Sequence, residues 1–293
     1  MSIHLEQQQW EFILHFDRWL NSYLEDSKKN KNYSEVLLKS QKYSLLSGGK
    51  RFRPFLTYLV FKLFSKNIEK IKNLCLALEM IHTYSLIHDD LPCMDNDDLR
   101  RGQPTNHKVF PEDISLLAGD GLLTDAFFLI SNDQTIKDST KVSLIKLISE
   151  KTGSQGMVSG QAFDMKVQAQ MSFEELKKIH TLKTANLIQA AATSAAIVGE
   201  ASPEETQAIF EFSYHLGMAF QIQDDLLDYA DKEQDFKNYI KILGVEKTKI
   251  ELAQHSELAK VQLLKVLQNT NNNLLPAIEP LLMLIEFNQK RTT

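Results

Sequence analysis

Two groups of aspartates have the residue types and spacing that could bind metal ions. The first contains five carboxylates within ten residues, directly before an arginine pair: Asp89, Asp90, Asp95, Asp97 and Asp98, then Arg100 and Arg101. Carboxylates this close raise one another's pKa unless a cation lies among them. Without cysteine or histidine at zinc-type spacing, oxygen ligands favour a hard cation such as Mg²⁺, whose shell substrate phosphates complete. The alternative is a solvated acidic loop at a helix end.

Pro92 divides the first acidic group into two parts. Apolar residues at helical spacing before it predict a helix that ends at Asp89 and Asp90. Proline disfavours helical geometry at the preceding residue, so Asp95 lies beyond a break in the helix. A turn at Pro92 can fold Asp95 back toward the ion that Asp89 binds.

The second acidic group is Asp224, Asp225 and Asp228. Asp224 and Asp228 are four residues apart, so both lie on one helix face, where like charges destabilise a helix unless a cation compensates them. The apolar residues around them count against the alternative, an exposed helix face. Two such groups, each preceded by an apolar helix, could face one another across a bundle core, as metal-binding carboxylates do in helical bundles.

A basic segment, Gly48-Gly49-Lys50-Arg51-Phe52-Arg53-Pro54, indicates a small polyanionic ligand. The glycine pair permits positive φ or a close backbone approach, and the cations that follow would bind phosphate. A helix C-cap glycine with solvated basic neighbours is the alternative. The net charge of -5 and the pI near 5.9 argue against nucleic acid as a partner.

The composition predicts an all-α fold. The chain has only 11 glycines and 7 prolines among 293 residues, and no segment alternates apolar and polar residues as a strand would. We expect residues 229–246 to form a mobile loop, residues 102–105 to form a turn, and the aromatic residues of the first helix, Trp10 included, to lie in the core. Helices are predicted over residues 3–24, 55–88 (two helices), 114–130, 141–165, 173–199 and from 247 onward, with a break at 271–273.

The sequence also indicates where the protein works. Its start has no basic region followed by an apolar block, and its uninterrupted apolar runs are too short to span a membrane. We therefore expect a cytoplasmic protein with no membrane span. The two cysteines, Cys75 and Cys93, are expected to be reduced thiols.

Taken in order, these motifs resemble those of short-chain trans-polyprenyl diphosphate synthases, and most closely the bacterial farnesyl diphosphate synthases. The resemblance runs from about residue 43 to the C-terminus and includes Lys183-Thr184 and Phe220-Gln221 as well as the segments above. It implies one helical domain over residues 1–293 built around a deep central cavity, and a homodimer. It further implies three Mg²⁺ ions per active site with substrate bound.

The resemblance also implies a role for individual residues. For His82 alone, a hydrogen-bonded core histidine would be the alternative. The implied metal ligands are Asp89, Asp95 and Asp224, supported by Asp90, Asp225 and Asp228. The implied contacts are Lys50, Arg53, His82 and Arg101 with isopentenyl diphosphate, Arg100, Lys183 and Lys237 with the allylic diphosphate, and Thr184 and Gln221 with the developing cation; Lys247 is a further substrate-binding candidate.

Tyr84 and Ser85 are the implied chain-length positions. Tyr84 precedes Asp89 by five residues, or about 7.5 Å along a helix. In the resembling enzymes an aromatic residue here is typical of C15 synthesis, so we expect Mg²⁺-assisted ionisation of the allylic diphosphate and condensation to farnesyl diphosphate. Geranyl or geranylgeranyl diphosphate is the alternative product.

One segment departs from the family pattern. If Lys237 and Lys247-Thr248 occupy the family's lysine positions, then Phe236, Ile240, Ile242 and Lys249 replace the usual Gly, Gly, Asp and Thr. This departure leaves a catalytically weak partner subunit as an alternative. A terpene cyclase on the same fold is another, although cyclases generally lack the second all-aspartate group and the Gly48-Gly49-Lys50 segment.

Overall fold

The protein is almost entirely helical, which confirms the all-α prediction. The computed structural model describes residues 3–166, 171–228, 237–268 and 275–291. Two short segments of other helix types, a 3₁₀ turn at Ile68–Ile71 and a π-helical segment at Thr181–Ala185, interrupt the α-helices. In the described ranges the α-helices are α1 (Ile3–Lys29), α2 (Glu35–Leu46), α3 (Phe52–Phe64), α4 (Lys72–Asp89), α5 (Asn106–Val109), α6 (Glu112–Ser131), α7 (Asp138–Thr152), α8 (Met157–Lys166), α9 (Phe173–His180), α10 (Asn186–Val198), α11 (Pro203–Asp228), α12 (Tyr239–Leu243), α13 (Val245–Gln268) and α14 (Leu275–Lys290).

The chain forms two compact units that interleave in sequence. Unit 1 comprises Met1–Gln8, Leu56–Ile68 and Lys146–Thr293, and unit 2 comprises Gln9–Phe55 and Glu69–Ile145. The expectation of one domain over residues 1–293 stays a prediction.

Unit 2 is organised around α4, which packs against α6 and α2. The aromatic residues of α1 that face this unit, Phe12, Phe16 and Trp19, are buried as predicted. The prediction for Trp10 was wrong, because its side chain is 62% exposed. At about 100° per residue, Trp10 lies about 200° around the helix from Phe12 and therefore on the opposite face.

A small hairpin follows the first acidic group and carries its arginines. Leu99–Arg100 pairs antiparallel with Gln103–Pro104, so the predicted turn over residues 102–105 is instead partly a strand. The turn itself is Arg101-Gly102, with φ angles of 54° and 74°. Two successive positive φ values are typical of a type I′ hairpin turn, whose twist matches that of the paired strands.

Unit 1 packs α11 against α10 and α13. The predicted helix over 141–165 is two helices, α7 and α8, because the chain turns at Gly153 to Gly156. The prediction over 173–199 is confirmed as a helical run, although its middle is π-helical. Gly160 of α8 lies so close to this π-helical segment that a Cβ there would be 2.4 Å from the backbone nitrogen of Lys183.

Part of the predicted loop over residues 229–246 is helical. Residues 229–236 lie outside the described ranges, but Tyr239–Leu243 forms α12 and α13 begins at Val245. The loop prediction was wrong here because Tyr239 is fully buried, with its ring centroid 5.6 Å from that of Phe173 and 5.3 Å from that of His180. Burial of this apolar surface stabilises the helix. The charged residues on either side of it had favoured the prediction of a loop. The break predicted at 271–273 lies outside the described ranges.

One helix of the described chain, α6, is long and apolar enough to cross a membrane. A third of its apolar window, 33%, is buried in the structure. The sequence analysis missed it because Asp120 and Asp125 interrupt its apolar run. Core helices of bundles pass the same test of length and composition, and α6 packs on α4 and α2 while Asp125 accepts hydrogen bonds from the hydroxyls of Tyr23 and Tyr33.

Candidate active site

The first acidic group lies at the end of α4, where the chain reverses as Pro92 predicted. The backbone nitrogen of Asp95 donates to the carbonyl of Asp89 over 2.8 Å, and Asn96 takes a positive φ of 53° to complete the turn. The reversal brings the backbone of Asp95 next to that of Asp89. The side chain of Asp95 is exposed and that of Asp89 is partly exposed.

Asp90 differs from its neighbours because it is buried and already has a cation. Its side chain is 4% exposed, and Arg100 donates to both of its oxygens, with Nε 2.7 Å from Oδ1 and 2.9 Å from Oδ2. Burial raises the pKa of Asp90 although the ion pair with Arg100 opposes the shift. The hairpin therefore supplies this carboxylate with a counter-ion from ten residues away.

Guanidinium groups surround His82 on α4. Burial lowers the pKa of His82 well below its ordinary value, and the charges of Arg53, Arg101, Arg100 and Arg51 lower it further. The imidazole is therefore neutral, and the strong positive potential around it attracts anions. The structure thus brings together three of the predicted diphosphate contacts, His82, Arg53 and Arg101, within unit 2.

Arg101 reaches back to the basic segment. Its Nη1 donates to the carbonyl of Gly48, and a Cβ at Gly49 would lie 2.6 Å from its Cζ. Gly49, with φ of 116°, is therefore a position where only glycine leaves room for the guanidinium. Lys50, the next residue, is exposed.

Arg51 has a different role from the cations beside it. Its side chain is 3% exposed, its Nη1 lies 2.6 Å from Oε1 of the equally buried Glu79, and its Nη2 donates to the carbonyl of Leu45. The charge of Arg51 is neutralised inside the protein. Among the cations of the basic segment, Lys50 and Arg53 are the ones whose side chains remain accessible.

Tyr84 is buried one and a half turns before Asp89. Burial, and then the charge of Asp89, raise the pKa of Tyr84 to about 12. Its ring meets that of His88 edge-on at 5.7 Å between centroids, and His88 is held by the carbonyl of Leu116 on α6. The neighbouring Ser85 is partly exposed and donates to the carbonyl of His82.

The second acidic group, in unit 1, also divides into buried and exposed carboxylates. Asp225 is buried, accepts a hydrogen bond from the backbone nitrogen of Tyr239 over 2.8 Å, and accepts another from Nε2 of Gln221 over 3.2 Å. Asp228 is exposed and Asp224 is 35% exposed. Asp224 pairs with Arg291, whose Nη2 is 2.5 Å from its Oδ1.

Thr184 and Gln221 are hydrogen-bonded to each other. The Thr184 hydroxyl donates to Oε1 of Gln221 over 2.8 Å, and Asp225 fixes the other end of the Gln221 amide. Thr184 lies on the π-helical segment, a local form that is frequent at functional sites. The chain Thr184, Gln221, Asp225 therefore orients two of the predicted catalytic side chains.

Comparison with known proteins identifies the family of this chain. Residues 34–243 match the family model of polyprenyl synthetases. The chain belongs to the polyprenyl synthetase family. It is 44% identical over 239 residues to the farnesyl diphosphate synthase of Geobacillus stearothermophilus, covering 76% of this chain and 80% of that one. It is 40% identical over 243 residues to a chloroplastic geranylgeranyl pyrophosphate synthase of Capsicum annuum, covering 78% of this chain and 66% of that one.

Solved structures agree with the sequence relatives. The chain superposes on the crystal structure of an FPP/GFPP synthase from Zymomonas mobilis with a TM-score of 0.87 at 29% identity, covering 98% of this chain and 100% of that one. It superposes on a geranyltransferase from Legionella pneumophila with a TM-score of 0.87 at 30% identity, covering 99% and 97%. The all-α isoprenoid synthase fold is thus shared by the polyprenyl synthetases and this chain.

The sequence analysis missed one residue that contacts two of the predicted site residues of this polyprenyl synthetase. Asp164 of α8 is 15% exposed and pairs with two predicted substrate contacts, with Oδ2 2.7 Å from Nζ of Lys183 and Oδ1 3.2 Å from Nζ of Lys237. Burial raises the pKa of Asp164, but the two lysines outweigh it and hold the pKa below its ordinary value. A lone acidic residue in a helix gave no local signal, and only its position one turn after Gly160 could have suggested a role.

The remaining candidate contact, Lys247, lies near the residues that depart from the family pattern. Lys247 is exposed in the first turn of α13, and Lys249, one of the departures from the family pattern, pairs with Glu246 on the same helix. Of the other departures, Ile240 is buried and Ile242 packs against the core around Tyr239, whereas Phe236 lies outside the described ranges. Within those ranges, no group of three His, Cys, Asp or Glu side chains is arranged to hold a metal ion by itself.

Proposed function

We propose that this polyprenyl synthetase makes farnesyl diphosphate by condensing isopentenyl diphosphate with dimethylallyl or geranyl diphosphate. The observation that carries the proposal is that each acidic group contains both a buried aspartate and accessible ones. The second aspartate, Asp90 or Asp225, is buried and bound by the protein, while Asp89, Asp95, Asp224 and Asp228 keep accessible carboxylates. Accessible carboxylates beside concentrated positive charge suit a metal-bound diphosphate.

The accessible carboxylates suit Mg²⁺, because this ion does not need a full set of protein ligands. Mg²⁺ is usually bound through one or two carboxylates, with water and substrate phosphates completing an octahedron. We assign Asp89, Asp95 and Asp224 as ligands, with Asp90, Asp225 and Asp228 in support, and three ions per active site. When bound, Mg²⁺ supplies Lewis-acid neutralisation of the diphosphate leaving group.

Isopentenyl diphosphate is assigned to the basic residues of unit 2, namely Lys50, Arg53, His82 and Arg101. A neutral His82 donates one hydrogen bond while the guanidiniums around it supply charge and bidentate contacts. Arg101 is already fixed by the carbonyl of Gly48, so little of its conformational freedom is lost on binding.

Arg100, Lys183 and Lys237 are proposed as the contacts of the allylic diphosphate. Each of these cations is already oriented by a carboxylate, Arg100 by Asp90 and the two lysines by Asp164. Fixed cations stabilise the charge that develops on the leaving group without reorganising during the reaction. Lys247 is a weaker candidate, since it is exposed on α13.

Thr184 and Gln221 are assigned to the developing allylic cation. Oxygen atoms held in place by the hydrogen bonds to each other and to Asp225 present fixed dipoles to positive charge. The double bond of isopentenyl diphosphate attacks the cation, and the proton that leaves is taken up by the departing diphosphate. Positioning of both substrates by their phosphates accounts for much of the rate.

The product length is assigned to Tyr84, with Ser85 beside it. Tyr84 is buried and braced by His88, so its ring is a rigid obstacle one and a half turns below Asp89. A chain that grows along α4 would stop at this ring. Farnesyl diphosphate is therefore the proposed product, and the named relatives include makers of both farnesyl and geranylgeranyl diphosphate.

The protein is further proposed to act as a cytoplasmic homodimer. Support for a second copy comes from α6, which exposes Leu116, Leu117 and Phe128. Leu117 and Phe128 are separated by three helical turns and lie on one face. Large apolar side chains exposed on one helix face are consistent with an interaction surface, although the exposed Asp120 and Thr124 lie between these two.

Product analysis tests the proposed function. Purified protein is incubated with Mg²⁺, isopentenyl diphosphate and either dimethylallyl or geranyl diphosphate, and the products are identified by mass spectrometry after dephosphorylation. Farnesol from both allylic substrates is the expected result. A cyclic hydrocarbon from the allylic substrate alone would identify a terpene cyclase, and no turnover would identify a partner subunit.

A further inference from the structure

The side chain of Arg291 lies against the second acidic group although it comes from the far end of the sequence. It is 7% exposed, and its Nη2 lies 2.5 Å from Oδ1 of Asp224 and donates to the carbonyl of Phe220 over 3.0 Å. The guanidinium carbon lies 4.4 Å from the centroid of the Phe220 ring. Arg291 therefore binds the turn of α11 that carries Asp224 through charge, hydrogen bond and cation–π contact.

The backbone of Arg291 is fixed independently of this ion pair. Nε2 of Gln223 on α11 donates to the backbone carbonyl of Arg291 over 2.8 Å, and α14 packs against α11. The guanidinium makes a further hydrogen bond, from its Nε to Oδ1 of Asn288 on α14 over 3.1 Å. The end of α14 is thus held on α11 by contacts that do not involve Asp224. The guanidinium can leave Asp224 without detachment of the helix.

The carboxylates next to Asp224 repel its negative charge, so a cation beside Asp224 stabilises the group. Asp225 is adjacent and Asp228 is one turn later, so an unpaired Asp224 would add to a repulsive group of carboxylates. A divalent ion and a guanidinium at the same carboxylate would repel each other strongly in a partly buried site. Binding of one therefore weakens binding of the other.

We propose that Arg291 is a replaceable internal counter-ion: it neutralises and positions Asp224 in the metal-free protein and gives way when a divalent cation binds. The inference rests on the proposed function, because it takes Asp224 as a metal ligand. It makes Arg291 a positioning residue that sets how much divalent cation the second acidic group requires.

Titration with Mn²⁺ alone tests this inference without relying on turnover. Free Mn²⁺ is measured by electron paramagnetic resonance for the wild type, Arg291→Gln and Asp224→Asn, and the Asp224→Asn titration identifies ions bound elsewhere. Removing the guanidinium should tighten Mn²⁺ binding at Asp224 about tenfold, equivalent to about 1.4 kcal/mol. The double variant should bind Mn²⁺ as Asp224→Asn does.

Lys290→Gln is the matched control. It removes the same charge one residue away, from a side chain that is 77% exposed and 4.0 Å from Glu286. Its Mn²⁺ affinity should equal that of the wild type, which separates a local contact from a change of net charge. Arg291→Lys keeps the charge but loses the planar fork, so we expect an affinity between those of the wild type and Arg291→Gln.

The outcomes distinguish this inference from the proposed function. If Asp224→Asn weakens Mn²⁺ binding but Arg291→Gln and Arg291→Lys leave it unchanged or weaken it, with thermal unfolding like that of the wild type, the counter-ion role is wrong while the metal site stands. Loss of folding in Arg291→Gln leaves the decision to Arg291→Lys. If Asp224→Asn has no effect on Mn²⁺ binding, both the counter-ion role and the metal assignment are wrong. Product formation by the wild type tests the proposed reaction separately.

Discussion

The two acidic groups use the same residue type in the same way but obtain their counter-ions by different routes. In each, the second aspartate is buried, Asp90 at 3% exposure and Asp225 at 6%, and its oxygens are bound by the protein. In the first group the arginine comes from a hairpin ten residues away. In the second it is Arg291, 67 residues from Asp224, and it pairs with this accessible first aspartate rather than with the buried Asp225.

The comparison separates the aspartates that are available for metal binding from those that stabilise the fold. An aspartate pair on a helix cannot direct both side chains the same way, because successive residues are about 100° apart. One of the two therefore faces the protein and needs an internal donor, while the other remains accessible. The accessible ones are the candidates for metal binding, and the buried ones for stability.

The largest effect that this comparison predicts is on activity when an accessible aspartate is removed from either group. Asp89→Asn and Asp224→Asn should each lower kcat/KM by about 10²- to 10³-fold, since each removes charge stabilisation of the transition state. Unfolding in urea should be little affected by Asp89→Asn, whereas Asp224→Asn also removes the ion-pair partner of the buried Arg291 and should lower the free energy of unfolding. Steady-state kinetics with geranyl and isopentenyl diphosphates measure the loss, and Asp138→Asn, at a side chain 94% exposed, is the control. A loss in only one variant would mean that the groups are not equivalent.

Removing a buried aspartate should instead affect stability. Asp90→Ala leaves Arg100 partly buried without its main partner and should lower the free energy of unfolding by about 3 kcal/mol. In Asp225→Ala the buried backbone nitrogen of Tyr239 loses its hydrogen-bond acceptor, at a cost of about 2 kcal/mol. Urea unfolding gives both values. Asp98→Ala is the control, because Asp98 is 75% exposed in its ion pair with Lys108 and its removal should have little effect on stability. An equal cost for all three variants would refute the distinction.

Histidines beside the two regions predict a stability that falls in acid. Burial lowers the pKa of His180 from 6.5 to about 4, so the unfolded chain binds a proton that the folded protein does not below pH 6.5. Its stabilising contribution is complete above pH 6.5 and is lost as the pH falls toward 4, by about 2 kcal/mol at pH 5. The pKa of His82 is shifted in the same direction.

His180→Phe separates the two histidines. The substitution removes the titration next to the ring of Tyr239 in unit 1 and leaves His82 unchanged. Urea unfolding at pH 7 and pH 5 should then show a smaller difference between the two pH values than in the wild type. The same difference in both proteins would assign the acid sensitivity elsewhere.

The smallest expected effect on kcat/KM is that of Tyr84→Ala, which should change the length of the product. Tyr84 lies beside the first acidic group, and we propose a role in chain length for this region alone. Tyr84→Ala should keep kcat/KM within about tenfold of the wild type, because Tyr84 contacts no diphosphate in the proposed site, and should shift products toward C20. Product lengths are compared by mass spectrometry. Tyr43→Ala, which removes another unit 2 tyrosine, bound to the carbonyl of Pro104, is the control and should leave the length at C15. Farnesyl diphosphate as the sole product of Tyr84→Ala would remove Tyr84 from the chain-length role.

Local sequence was informative wherever local geometry decided the outcome. The end of α4 and the reversal at Pro92 followed from apolar periodicity and from the geometry that proline imposes on its neighbour. The expected helices were found for the same reason, apart from the break between α7 and α8. The predictions for Trp10 and for Tyr239–Leu243 failed, because burial depends on which surface a neighbouring element covers.

The sequence by itself determined the helical architecture, the positions of the two acidic groups and the family to which the chain belongs. Tertiary structure decided how the charges are distributed: Arg51 is used internally by Glu79, Asp164 holds Lys183 and Lys237, and Arg291 reaches Asp224. The physical reason is that helix formation depends on neighbours within a few residues, whereas the energy of a charge depends on its burial and on every charge within a few ångströms. Those neighbours are set only when the chain has packed.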